Sequence, residues 1–169
     1  MAMLRPMFIF ILALGVITPS AVAACDISET KCALNGGKCN IKFRNQSGEG
    51  SGSGGPTELW QKSAAQIIKV KALKENGKTA GNVLSIDAGA SKTMNIDKKA
   101  NKSFAKIRMT APTMDDVEPI TMHCDQVQAV LNGNGTCKVF VGQTPIGETN
   151  GDYDLGFNCD GGNVAAPKE

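Results

Sequence analysis

Short runs in which apolar and polar residues alternate, separated by Gly, Asn and Lys, recur through the middle of this chain. Ile41, Phe43 and Asn45 alternate with Lys42 and Arg44, which predicts a strand over 40–45 with one apolar face. Leu84 and Ile86 alternate with Ser85 and Asp87. After a turn at Ala88-Gly89-Ala90-Ser91, Met94 and Ile96 alternate with Thr93, Asn95 and Asp97. Ala105, Ile107 and Met109 then share a face opposite Lys106 and Arg108. Short strands at this spacing, with turn residues between them, point to a sandwich or barrel.

Thr57 to Asn76 carries two periods at once. Trp60, Ala64, Ile68 and Ala72 recur every fourth residue, and Asn76-Gly77 would cap a helix. Ile68, Val70 and Ala72 also alternate with Lys69 and Lys71, and β-branched residues cluster there. The reading that serves both is a helical turn at 57–63 followed by a strand at 65–73. Further on, Ile120, Met122 and Cys124 suggest another strand, with a bulge near Asp125. Residues 127–141 read as a hairpin closed by Gly133-Asn134-Gly135, with Gly135 at the left-handed position. That register sets Leu131, Ala129 and Val127 opposite Cys137, Val139 and Val141, so a bridge from Cys124 to Cys137 is not expected. The whole predicts an all-β fold with at most one short helix, a disulfide-linked antiparallel β-sandwich or barrel.

Residues 1–24 have the three-part form of a signal peptide. Arg5 begins it, Met7 to Ile17 form an apolar run too short for a permanent span, and Ala21, Val22, Ala23 and Ala24 end it. Removal would leave 169 − 24 = 145 residues, a single β-rich domain over 25–169. The expected destination is secretion or the periplasm, with no transmembrane segment. Val22-Ala23-Ala24-Cys25 also resembles a bacterial lipobox, which implies a lipid on Cys25 and an envelope anchor, although the usual Leu at −3 is absent.

Export changes the meaning of the six cysteines. They read as disulfides, and they fall into two odd groups, Cys25, Cys32 and Cys39 against Cys124, Cys137 and Cys159. If all six pair, at least one bridge joins the two ends of the domain. Spacings of six residues do not suit zinc knuckles. Cys32-Ala33-Leu34-Asn35-Gly36-Gly37-Lys38-Cys39 resembles the opening of an EGF-like module. The likeness covers residues 25–39 only, and the cysteines that complete such a module are missing.

SGEGSGSGGP at 47–56 has the composition of a flexible surface loop. It ends Gly-Gly-Pro where a phosphate-binding loop would end Gly-Lys-Ser/Thr, so no nucleotide is expected. Asp152 and Asp154 in a Gly-rich turn have a calcium-like spacing without the closing Glu. No cofactor and no metal are expected.

The net charge of +2 conceals a division. Residues 61–110 hold eleven Lys or Arg against Glu75, Asp87 and Asp97, giving 11 − 3 = +8. Residues 111–169 hold nine acids against Lys138 and Lys168, giving 2 − 9 = −7. A basic face of Lys69, Lys71, Lys92, Lys98, Lys99, Lys102, Lys106 and Arg108 would suit an anionic cell-surface component such as lipid headgroups, wall polymer or acidic glycan. Another protein is the alternative partner. Nucleic acid is disfavoured because aromatic stacking platforms are missing from the stretch.

Catalysis has weak support. The one histidine, His123, stands beside Cys124, which cannot attack a substrate once oxidised. Asp115, Asp116 and Glu118, or Asp152 and Asp154, would be the carboxylates of a small secreted hydrolase. No recognised hydrolase motif accompanies them. Asn45-Gln46-Ser47, Asn101-Lys102-Ser103 and Asn134-Gly135-Thr136 are glycosylation sequons. The expectation is a binding module and not an enzyme.

Overall fold

Alternation at the start of the domain is realised residue by residue. In the computed structural model, strand β1 (Asn40–Asn45) buries Ile41, Phe43 and Asn45 and exposes Asn40, Lys42 and Arg44. The structure describes residues 24–36, 38–48, 62–63, 65–96, 104–143 and 153–160. The expected signal peptide lies outside them, apart from Ala24. So do 49–56 of the Gly/Ser-rich stretch and 57–61 of the expected helical turn. Lys62 and Ser63, the end of that turn, instead form strand β2 (Lys62–Ser63).

Seven further strands follow: β3 (Ile68–Lys74), β4 (Thr79–Ile86), β5 (Ser91–Asn95), β6 (Phe104–Thr110), β7 (Ile120–Met122), β8 (Thr136–Gln143) and β9 (Tyr153–Cys159). They form two sheets. Sheet B has the order β4-β3-β6-β7 and is antiparallel throughout. In sheet A, β8 pairs with β9 along one edge and with β1 and then β2 along the other, while β5 pairs with β1. The β1–β8 pair is parallel, so the antiparallel expectation fails at that one place. Inward side chains of both sheets, among them Phe43, Val70, Ile107, Val139 and Phe157, make one buried core. The sheets do not close on each other, and the fold is a sandwich.

The predicted hairpin at 127–141 is not there. Its first arm is helix α2 (Cys124–Asn132), and the antiparallel partner of β8 is β9. Val127, Val130 and Leu131 fall at i, i+3 and i+4 and are buried in the core, whereas Ala129 of the expected strand face is only half-buried. Helix entry also has local support. The His123 N–H donates to Gln126 Oε1 at 2.8 Å, and Asp125 in the first turn suits the helix dipole. The parity break near Asp125 is this helix start and not a bulge. Gly135 does adopt the left-handed conformation, with φ 65°, but in a helix-to-strand turn.

Two smaller irregularities re-aim strands. Phe104 pairs with Lys74 and Lys106 with Leu73, so Ala105 is an extra residue in β6 and Phe104 takes its expected place in the core. Between Ala72 and Val70, β4 carries three residues opposite Lys71 alone, and Gly81 there has φ 73°. Asn76-Gly77 turns the β3–β4 hairpin and caps no helix, with Gly77 at φ 76°.

All six cysteines pair: Cys25–Cys124, Cys32–Cys39 and Cys137–Cys159. The first joins the two ends of the domain, as the odd groups required. It spans 99 residues, for which the chain-entropy model gives roughly 4–5 kcal/mol. It ties the segment before α1 (Lys31–Leu34), a single turn, to the start of α2. With its sulfur in that bridge, Cys25 has none left for a lipid thioether. Cys32–Cys39 closes the stretch that resembles an EGF-like opening into a loop of its own. Cys137–Cys159 crosses β8 and β9 in register.

Asn45 is fully buried and joins the sheets. Its Nδ2 donates to Gln66 O at 2.7 Å and Ile86 O at 2.8 Å, and its Oδ1 accepts from Ser47 N at 2.9 Å. Ser47 is buried too, accepting the Val141 N–H on its Oγ, so the stretch read as surface loop begins inside the protein.

Asn45→Ala leaves the buried Ile86 carbonyl and the partly buried Gln66 carbonyl without this donor and is expected to cost about 3 kcal/mol, read as a lower urea midpoint at unchanged slope. Gly135→Ala places a Cβ 2.7 Å from Asn40 O at positive φ, whereas Gly77→Ala meets nothing within 4 Å. Gly77→Ala should cost about 1 kcal/mol from backbone strain alone, and Gly135→Ala at least about twice that. Equal midpoints for the two variants would contradict the close approach of β1 to this turn.

Candidate functional site

β3 and β6 are the two central strands of sheet B, and their alternation sets the chemistry of its outer surface. Ile68, Val70 and Ala72 face the core from β3, which turns Lys69 and Lys71 outward. Ile107 and Met109 do the same in β6, which turns out Lys106 and Arg108. Register then brings the four together. Lys71 stands directly opposite Arg108, Lys69 opposite Thr110 and Lys106 opposite Leu73. Cations two apart on one strand are about 6.6–6.8 Å apart along it, and direct partners across strands about 4.5–5.5 Å at Cα.

Lys69 and Arg108 are exposed; Lys71 and Lys106 are half-buried. The flanking partners are hydroxyls, Ser85 beside Lys69 and Thr121 beside Arg108. The four strands of sheet B contain five cations, these four and Lys74, and no Asp or Glu. Nothing in the sheet itself balances them.

Half of the expected basic face is therefore assembled. Lys92 is not part of it: it lies on β5 in sheet A, opposite Phe43, and is exposed at the sheet's edge. Lys98, Lys99 and Lys102 lie outside the described residues. Sequence reasoning missed Lys42, Arg44 and Lys138, which share the outer face of sheet A. The alternation at 40–45 already turned the first two outward. That Lys138 lies beside Arg44 depends on the parallel pairing of β1 with β8, which no local pattern encodes.

Charge is sorted by element among the described residues. Their strands hold ten Lys or Arg (42, 44, 62, 69, 71, 74, 92, 106, 108 and 138) and one acid, Asp154. Asp115, Asp116 and Glu118 are exposed in the connection from β6 to β7, while Asp154 is half-buried on β9 of the other sheet. Asp152 lies outside the described residues. His123 is the exposed residue before α2, not a strand residue, and Cys124 is bridged. Among the described residues no group of three or more His, Cys, Asp or Glu could hold a metal ion. Nor is any helix among them long and apolar enough to cross a membrane.

The sequons separate as well. Asn45 has both amide hydrogens donated to carbonyls in the interior, so the folded protein cannot accept a glycan there. Asn134 is exposed, and Asn101 lies outside the described residues. No protein-family model matches the chain, and comparison with curated proteins and with solved structures finds no match either.

Proposed function

We propose that this chain is an exported, disulfide-linked binding module that docks an anionic cell-surface polysaccharide along the outer face of sheet B. The observation that carries the reading is Lys71 opposite Arg108 at the centre of a sheet whose strands contain no carboxylate. Like charges placed directly opposite destabilise a sheet by roughly 0.2–1 kcal/mol. Lysines on edge strands guard against aggregation, but β3 and β6 are central and need no such guard. A bound anion would offset the repulsion.

A polymer fits this face better than a bilayer or a nucleic acid. The described outward residues of β3 and β6 are Lys, Arg, Thr and a buried Leu73, with no aromatic to stack on a base, and the one large exposed apolar side chain described in the sheet, Val83 of β4, is too little to hold a bilayer. Cations at a regular strand spacing, flanked by hydroxyls, match repeating sulfate or carboxylate groups on a flat chain. Three disulfides suit an oxidising compartment.

Titration with a heparin-type polysaccharide should show binding that weakens as salt screens the face. Lys71→Gln with Arg108→Gln should lower affinity about tenfold or more, which is about 1.4 kcal/mol, while the unfolding midpoint holds or rises slightly. Unchanged affinity and salt dependence in the double variant would refute the docking face.

A further inference from the structure

Sheet A carries a second basic surface on the opposite side of the sandwich. Lys42 and Arg44 point outward from β1, two residues apart like the pairs on β3 and β6. Arg44 registers with Lys138 of β8, and Lys42 with Thr136. On the other side of β1, Lys42 faces Thr93 and Arg44 faces Ser91, so hydroxyls again flank the cations. Lys42, Arg44 and Lys138 are all exposed. Farther along β8 the same face is covered, with Phe140 buried and Asp154, opposite Gly142, half-buried, so the exposed basic part is confined to Lys42, Arg44 and Lys138.

We infer that this face is a second binding site for the same anionic polysaccharide, so that one molecule bridges two polymer chains. The inference rests on the function proposed above and adds valency to it. Sheets in a sandwich pack about 10 Å apart, and outward side chains add to that separation. The two cation groups therefore face away from each other across the core. A stiff linear polymer lying on one face does not reach the other, and a second chain must occupy it. One molecule then acts as a cross-link, and two weak sites on a polymer gain avidity that neither has alone.

The full chain is titrated with a sulfated hexasaccharide, too short to bridge, and separately mixed with the long heparin-type polymer while turbidity is followed. Wild-type protein is expected to bind two hexasaccharides and to give turbidity that rises and then falls as polymer is added in excess. Lys42→Gln with Lys138→Gln should bind one hexasaccharide, retain its thermal midpoint and lose turbidity about tenfold. Lys71→Gln with Arg108→Gln should do the same from the other side. Binding of one hexasaccharide by the wild type, lost only in the Lys71/Arg108 variant, overturns the second site and leaves the function proposed above standing. Binding of one, lost only in the Lys42/Lys138 variant, overturns both that function's docking face and the bridging. No binding by the wild type overturns both.

Discussion

The carboxamide of Asn45 is the joint on which this sandwich turns. It lies at the end of β1 in sheet A, fully buried, and its two amide hydrogens reach Gln66 O, two residues before β3, and Ile86 O at the end of β4 in sheet B. The backbone of the same residue donates to Ala90 O and accepts from Gly89 N in the turn that carries the chain from β4 to β5. A buried amide satisfied in this way specifies where three segments meet; left unsatisfied it would be among the costliest groups in the core. Ser47 extends the device, its Oγ accepting the Val141 N–H where β1 leaves β8.

Closure at the other end of the domain is covalent. Cys25–Cys124 fastens the N-terminal segment to α2, and hydrogen bonds reinforce the seam: Lys31 N donates to Asn132 Oδ1 at 2.8 Å, and Cys25 N to Phe104 O at 2.6 Å. α2 in turn places Val127, Val130 and Leu131 in the core shared by both sheets. The long-range bridge therefore supports a helix that would be marginal alone, since nine residues are too few for an isolated helix to persist in water. Chain entropy and core burial act on the same element.

With the interior so fixed, the outer faces are left to charge. Cations concentrated on strands and acids mostly in loops accompany a net charge of only +2, and they leave the strands of sheet B without a carboxylate while sheet A keeps Asp154. Such an arrangement opposes stability locally, because pleating holds Lys71 and Arg108 side by side. The hydroxyls of Ser85 and Thr121 flank the cations on either side.

The amino-acid sequence by itself determined the strands whose period is two. At 40–45, 84–87 and 105–109 one face must be apolar to reach the core, and a one-residue slip would bury charged or polar side chains. It also determined that a disulfide must cross the domain, by parity of the two cysteine groups, and that Lys69, Lys71, Lys106 and Arg108 share a side of their strands. Tertiary structure decided the rest. Val127, Val130 and Leu131 satisfy a helix as well as Val127, Ala129 and Leu131 satisfy a strand; only the buried pocket between the sheets and the tie from Cys124 to Cys25 choose between them. Partner choice is also non-local: nothing near Lys138 says that β8 will lie parallel to β1, so the second basic face could not be read. Periodicity tells a chain which side of an element is inward. Which elements become neighbours depends on how distant apolar faces fit, and that is settled only when the core is packed.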